Sequence, residues 1–289
     1  MLKKLIGEIK KLIFFIRAIS RTDFRHGVIT NHDLNRKLIQ FAPNSAGSIK
    51  GRAILTMLSA QQTFPLICEL MKALEYPAVA MKQIESICTK DISILAAKQL
   101  ADLFNKYGSD KSSLHNYHLI YGSILAGRHS DQVTIFEIGI GTTNIDVVSH
   151  MCQGGYPGAS LRAFRDFLPN SMIYGADIDR NIIFQEERIK TFFLDQTDLN
   201  SFNEVSIALG NEKFDLIIDD GLHSPNANIA TLIFALEKLK PHGWFVVEDV
   251  HTSSLPIWKV ISAIIPNRYF PFICEAKNGY LFVMRNDLQ

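Results

Sequence analysis

The chain has 289 residues, 47% hydrophobic and 20% charged, with a formal net charge of +1. That length accommodates two domains or one large one, and the composition is that of an ordinary soluble globular protein. The near-neutral balance gives no global field for nucleic acid. The scattered Cys68, Cys88, Cys152 and Cys274, with no CxxC pair, argue against a disulfide framework or a zinc finger and fit a reducing cytoplasm.

No apolar run approaches the ~20 residues that span a bilayer. The opening "MLKKLIGEIKKLIFFIRAIS" repeats leucine and isoleucine at helical spacing, with lysines and Arg17 on the remaining arc. Its "LIFFI" core is short and no A-x-A site follows, so a signal peptide is not expected. The apolar stripe is expected to pack on its own protein or on a sister subunit, which makes a homo-oligomer the expected assembly. The alternative is peripheral contact of residues 1–20 with an anionic membrane. From there to about Asn105 the pattern is helical and nearly free of motifs, and Gly108 is placed as a C-cap glycine. Residues 1–104 are therefore expected to form a helical region serving oligomerisation or the acceptor pocket, ahead of a domain over 105–289.

Beyond "GSDKSSLHNYHLIYGSILAG" the texture changes. "VTIFEIGI", "MIYGADI", "IKTFFLD", "FDLIIDD" and "WFVVEDV" are short apolar runs separated by helical segments. Such runs suit parallel strands covered on both faces, so the alternation predicts a doubly wound α/β sheet. "YFPFICEAKNGYLFVMR" reads as a hairpin turning at Asn278-Gly279. The expectation is a Rossmann-like mixed sheet of seven strands, five parallel and two antiparallel. That order resembles the class I S-adenosylmethionine-dependent methyltransferases.

"FEIGIG" ends the first of these strands, and Glu137, Gly139 and Gly141 in it are assigned to the cofactor. Glycines there let backbone approach a ligand in the crevice beyond the strand ends. A dinucleotide fingerprint requires glycine at position 144, which is Asn144. "YGADID" ends the next strand, and Asp177 is placed to accept from ribose hydroxyls. "FFLDQTD" ends the third, with Asp195 and Gln196 beside an adenine. Between Gly141 and the second of these strands, a polar, glycine-rich segment leads to "GASLRAF", where Ser160 is expected to cap the helix and present N–H groups to the methionine carboxylate. As solvated strand ends these acids would need no function, but their succession over three consecutive strands points to S-adenosyl-L-methionine.

Side chains alternate along a strand, so Asp219 and Asp220 are expected on opposite faces, and Glu248 and Asp249 likewise unless the strand has broken. Asp219 is assigned to the cofactor side. The fourth and fifth strand tips bring several carboxylates together, and a hard divalent cation such as Mg²⁺ offsets their repulsion. Ser224 and Pro225 read as N-cap and first residue of the next helix. As a helix-start residue, His223 would be unremarkable; beside the acids it is a candidate base.

These motifs, "FEIGIG", "GASLRAF", "IYGADID", "DQTD", "IIDDGLH" and "VEDVH" with "GSDKSSLHNYHLIY" before them, resemble the metal-dependent macrolide-sugar and rhamnosyl O-methyltransferases over roughly residues 105–285. The resemblance implies Asp220, Glu248 and Asp249 as Mg²⁺ ligands and His223 as the base. It implies O-methylation of a sugar hydroxyl on a glycosylated natural product, glycolipid or polysaccharide. Two other readings stand beside it: a metal-independent small-molecule methyltransferase and a non-catalytic cofactor-binding assembly protein. No basic patch with interleaved aromatics supports nucleic acid as a partner.

Overall fold

The computed structural model describes residues 37–44, 48–151 and 155–287. The N-terminal helix expected over residues 1–20 lies outside them. The chain divides into two compact units, one ending at Tyr76 and one beginning at Pro77. In the first, helix α1 (Ile49–Ala73) starts at Ser48, whose hydroxyl accepts from the Gly51 N–H at 3.1 Å. No helix among the described residues is long and apolar enough to cross a membrane.

The second unit is a sheet between two helical layers. Its elements in chain order are β1 (Ala80–Gln83), α2 (Asp91–Tyr107), α3 (Asp110–Ser113), α4 (His118–Leu125), β2 (Thr134–Ile138), α5 (Ala159–Phe167), β3 (Met172–Asp177), β4 (Gln185–Glu186), β5 (Ile189–Phe193), α6 (Leu199–Leu209), β6 (Phe214–Asp219), α7 (Pro225–Lys238), β7 (Leu239–Val250), α8 (Leu255–Ile264), β8 (Tyr269–Ala276) and β9 (Gly279–Asn286). The strand order is β1-β8-β9-β7-β6-β2-β3-β5-β4. β2 pairs in parallel with β3 on one side and β6 on the other, so the winding reverses at β2. A crevice opens at such a switch point, outside the carboxyl ends of the strands.

All seven expected strands are present, with two edge strands added. β1 pairs in parallel with β8, inside a stretch whose apolar spacing reads as helix. The two-residue β4 pairs antiparallel to β5. The hairpin turns at Lys277-Asn278, one residue earlier than expected, and closes on the pair Ala276 and Gly279. The boundary expected at 104/105 moves to 76/77, because α2 belongs to the second unit. A Cβ added at Gly122 of α4 would lie 2.5 Å from the Ala97 backbone of α2, so the two helices touch at a position only glycine permits. Gly108 ends α2 in the left-handed conformation, as expected.

Strand alternation assigns each residue to a layer. Ile135, Ile173, Leu216, Ile218 and Val246 face Leu100, Phe104, Tyr121 and Phe164 on the α2, α4 and α5 side. Phe136, Tyr174, Ile217, Phe245 and Val247 face Phe202, Phe234 and Trp258 on the α6, α7 and α8 side. Each such side chain contributes roughly 1.5–3 kcal/mol on burial, and together they fix the register that positions the strand tips.

Candidate active site

The same parity sorts the acids. Glu137 follows Phe136 and so faces the α5 layer, where it is fully buried and accepts from Ser160 Oγ at 2.7 Å. Asp219 follows Ile218 and faces α7. There it is fully buried and accepts from Gln196 Nε2 at 2.8 Å and Asn228 Nδ2 at 3.0 Å. Asp220 returns to the first face, where it meets Lys111 Nζ at 2.6 Å.

Glu248 and Asp249 break the alternation. The register of β7 against β9 shifts between Val247 and Val250, and Asp249 has φ +53°, so the strand bulges there. Both acids consequently meet the α4 segment instead of diverging. Tyr117 Oη donates to Asp249 Oδ1 at 2.6 Å, and Tyr121, one helical turn on, donates to Glu248 Oε1. Burial comes first in raising the pKa of both phenols, and the neighbouring carboxylates add to it, so both remain donors.

A cavity of about 720 Å³ opens over these tips. Gly139, Ile140, Gly141, Asp177, Asp195, Gln196, Asp220, His223 and Asp249 line it, with Ser160 and the Asp146–Met151 loop. Gly139, at φ +85°, lies so close to β6 that an added Cβ would fall 2.0 Å from the Asp220 carbonyl oxygen. Only glycine lets the β2 tip approach the acid loop in this way. Asp177 Oδ2 accepts from the Ile140 N–H at 3.0 Å and Oδ1 from the Asp179 N–H at 3.0 Å. Its carboxylate therefore ties the β3 tip to the glycine turn. Burial raises its pKa, against these amide donors.

Several expected roles change. Asp219 does not line the cavity: its oxygens are taken by Gln196 and Asn228 on the far face. Gln196 lines it, but its amide also bonds Thr231 at 2.9 Å and accepts from the Leu222 N–H at 2.8 Å, so it braces the acid loop instead of reaching for an adenine. Asp195 Oδ1 accepts from the Thr197 N–H and hydroxyl at 2.8 and 2.7 Å. Ser160 is not the cap of α5: Gly158 holds that place, and the Ser160 hydroxyl goes to Glu137. Glu137 itself lies behind the cavity wall.

The three proposed metal ligands do not converge as a set. Ligand atoms of Asp220, His223 and Asp249 lie within 4.8 Å of one another, and His223 Nε2 is 3.9 Å from Asp249 Oδ2. Glu248 is outside that group, because Lys111 holds its Oε2 at 2.6 Å and Tyr121 its Oε1. The two carboxylates are oxygen donors that a small divalent cation accepts, and the imidazole lies beside them. Like Asp249, His223 has positive φ, +54°. Ser224 and Pro225 begin α7 as expected, although the serine hydroxyl makes no cap bond.

Sequence reasoning passed over Lys111, Tyr117 and Tyr121. Their signal was the concentration of polar groups in "GSDKSSLHNYHLIY", a stretch otherwise read only for its resemblance.

No family model matches the chain. The 8-demethyl-8-alpha-L-rhamnosyl tetracenomycin-C 2'-O-methyltransferase of Streptomyces olivaceus is 33% identical over 161 residues, 55% of this chain and 40% of that protein. The mycinamicin VI 2''-O-methyltransferase of Micromonospora griseorubida is 33% identical over 159 residues, 54% of this chain and 37% of that protein. The chain thus spans two fifths or less of the length of these curated relatives. Among solved structures, the MycE methyltransferase in complex with Mg, SAH and mycinamycin VI superposes with a TM-score of 0.52 at 25% identity, covering 65% of this chain and 54% of that one. The fold is the Rossmann-like α/β fold of S-adenosylmethionine-dependent methyltransferases, with a mixed sheet ending in antiparallel strands. The aligned part of the chain is similar in sequence to the macrolide-sugar and rhamnosyl O-methyltransferases.

Proposed function

We propose that this chain transfers a methyl group from S-adenosyl-L-methionine to a sugar hydroxyl of a glycosylated acceptor, aided by one divalent cation. The observation that carries this reading is the convergence of Asp220, His223 and Asp249 within 4.8 Å, in a cavity that also reaches Gly139, Gly141 and Asp177. The relatives' names describe 2'-O-methylation of a rhamnosyl tetracenomycin and 2''-O-methylation of mycinamicin VI, which supports the same acceptor class.

The residues divide the work. Asp177, at the β3 tip, accepts from ribose hydroxyls, and the glycine turn lets the cofactor lie against the backbone. Asp220 and Asp249 would hold the cation, which when bound lowers the pKa of an acceptor hydroxyl. His223 takes the hydroxyl proton at Nε2, since its Nδ1 is enclosed, and Nε2 lies 3.9 Å from Asp249 Oδ2. The acceptor oxygen forms its bond to the methyl carbon as the carbon–sulfur bond breaks, and the electron pair stays on sulfur, giving S-adenosylhomocysteine. Val148 and Tyr156 line the cavity while remaining largely exposed, which suits the apolar body of an acceptor whose sugar reaches the acids.

Incubation with S-adenosyl-L-methionine, Mg²⁺ and a panel of rhamnosylated or otherwise glycosylated acceptors tests this. The expected result is an acceptor heavier by one methylene, formed only with added metal. Turnover unaffected by EDTA would return the metal-independent reading.

A further inference from the structure

The start of α5 forms part of the cavity wall. Gly158 precedes the helix at φ +74°, and its N–H donates to the Ile140 carbonyl at 2.7 Å, which ties the helix start to the glycine turn after β2. Ala159 and Ser160 of the first turn line the cavity, and no side chain caps them, because the Ser160 hydroxyl is turned to Glu137. Strand order orients the cofactor against this wall. Asp177 at the β3 tip takes the ribose, and Leu194 and Asp195 after β5 line the side beyond it. With the adenine on the β5 side, the amino-acid end points back toward β2, where α5 starts.

The groups that hold this turn lie outside the cavity. Arg162 Nη1 donates to the Pro157 carbonyl at 2.7 Å, Nη2 to Glu186 Oε1 at 2.6 Å, and Nε to both Glu186 oxygens at 3.1 Å. Arg165 shares Glu186 Oε2 at 3.0 Å. The Arg162 guanidinium also lies over the Phe184 ring, 4.6 Å from its centroid. That ring occupies the space of the side chain Gly158 lacks: a Cβ there would fall 2.5 Å from Phe184 Cζ. Phe184 is anchored in turn by the Thr191 hydroxyl, which accepts from its N–H at 2.6 Å and donates to its carbonyl at 2.6 Å. A planar guanidinium fixes a carboxylate, a carbonyl and a ring face in one geometry, which a flexible ammonium does not.

We propose that Arg162 is a positioning residue: through Pro157 and Gly158 it sets the α5 start in the orientation that receives the amino-acid end of the cofactor, with Glu186 and Phe184 as its anchors. This rests on the S-adenosylmethionine reading of the cavity. It also gives the two-residue β4 a purpose, since pairing with β5 carries Glu186 to the arginine.

Calorimetry on the full chain with two ligands tests it. S-adenosylhomocysteine has the amino-acid end, and 5′-methylthioadenosine carries a methyl group in its place. In Arg162→Met, whose unbranched side chain still covers Phe184, S-adenosylhomocysteine affinity should fall about 10–100-fold, the worth of one charge-assisted hydrogen bond, with 5′-methylthioadenosine affinity unchanged. Arg162→Lys keeps the charge without the planar fork and should lose affinity as selectively. Glu186→Ala, which frees the arginine from its anchor, should show the same selectivity. Equal losses for both ligands, or none for either, would overturn the role of Arg162 and leave the cofactor reading standing. Wild-type affinity in Arg162→Lys would overturn it too, by showing that charge alone suffices. A wild type that binds neither ligand would instead overturn the cofactor reading. Should Arg162→Met fail to fold, Arg162→Lys and Glu186→Ala decide.

Discussion

Tyr117 Oη and Asp249 Oδ1 are 2.6 Å apart, and the other oxygen of that carboxylate faces His223. The phenol thus fixes the rotation of a side chain that two further groups depend on. Removing a hydrogen bond that orients a metal ligand typically costs about 10–100-fold in metal affinity or activity. Tyr117→Phe is expected to raise the Mg²⁺ concentration at half-maximal turnover by about that factor, with S-adenosylhomocysteine affinity unchanged. Equal metal titrations for both proteins would show that the bulge alone orients Asp249.

His223 and the carboxylates should fail differently. His223→Ala is expected to lower kcat by about 10²–10⁴-fold and to leave cofactor binding intact. Asp249→Asn should chiefly weaken metal binding. Calorimetry with Mg²⁺ beside steady-state kinetics separates the two, and full turnover by His223→Ala would remove the base.

Asp177 should carry cofactor affinity. Its carboxylate already accepts from two backbone amides, so Asp177→Asn is a gentler probe than alanine. Losing charge-assisted bonds to ribose hydroxyls costs about 1.5–3 kcal/mol each, roughly a tenfold to hundredfold loss in affinity. Isothermal titration with S-adenosylhomocysteine measures it; binding of NADH in its place would contradict the cofactor.

Away from the site, Asp215 lies near the start of β6 and joins Arg128 at 2.7 Å, Lys240 at 2.7 Å and the Thr134 N–H at 2.8 Å. Burial alone would raise its pKa; Lys240, the Thr134 N–H and Arg128 outweigh this and depress it. A depressed folded-state value contributes stability above the unfolded pKa of ~3.9, lost as pH falls through the lower folded value. Asp215→Asn should lower Tm at neutral pH, by the equivalent of about 3 kcal/mol for a broken buried pair, and shrink the loss on acidification. Thermal melts from pH 7 to pH 3 would show it. Parallel acid legs for both proteins would refute it.

The central sheet was legible because β2, β3, β5, β6 and β7 are apolar runs with both faces covered. β1 was not: all four of its residues are exposed, and nothing in "AMKQ" records that β8 needs an edge partner. Alternation correctly separated Asp219 from Asp220 but did not say which face held the site. The bulge at Asp249 overrode it, through pairing with β9 that has no local signature. Lys111 was hidden more deeply. Within "GSDKSS" it reads as a solvated charge, and its meaning comes from Asp220 and Glu248, 109 and 137 residues away.

His223 and Asp249 both hold left-handed backbone conformations, where an ordinary side chain costs roughly 1–2 kcal/mol. Glycine or asparagine would occupy either position more comfortably. A library of this protein selected for thermal tolerance alone is therefore expected to gain stability at these two positions, as at Glu75, Ser149, Arg188 and His242, which share the conformation, and to discard its chemistry in doing so. Selection for survival at high temperature would then enrich folded proteins with an empty purpose, and any thermostabilisation effort on this scaffold has to hold residues 223 and 249 fixed.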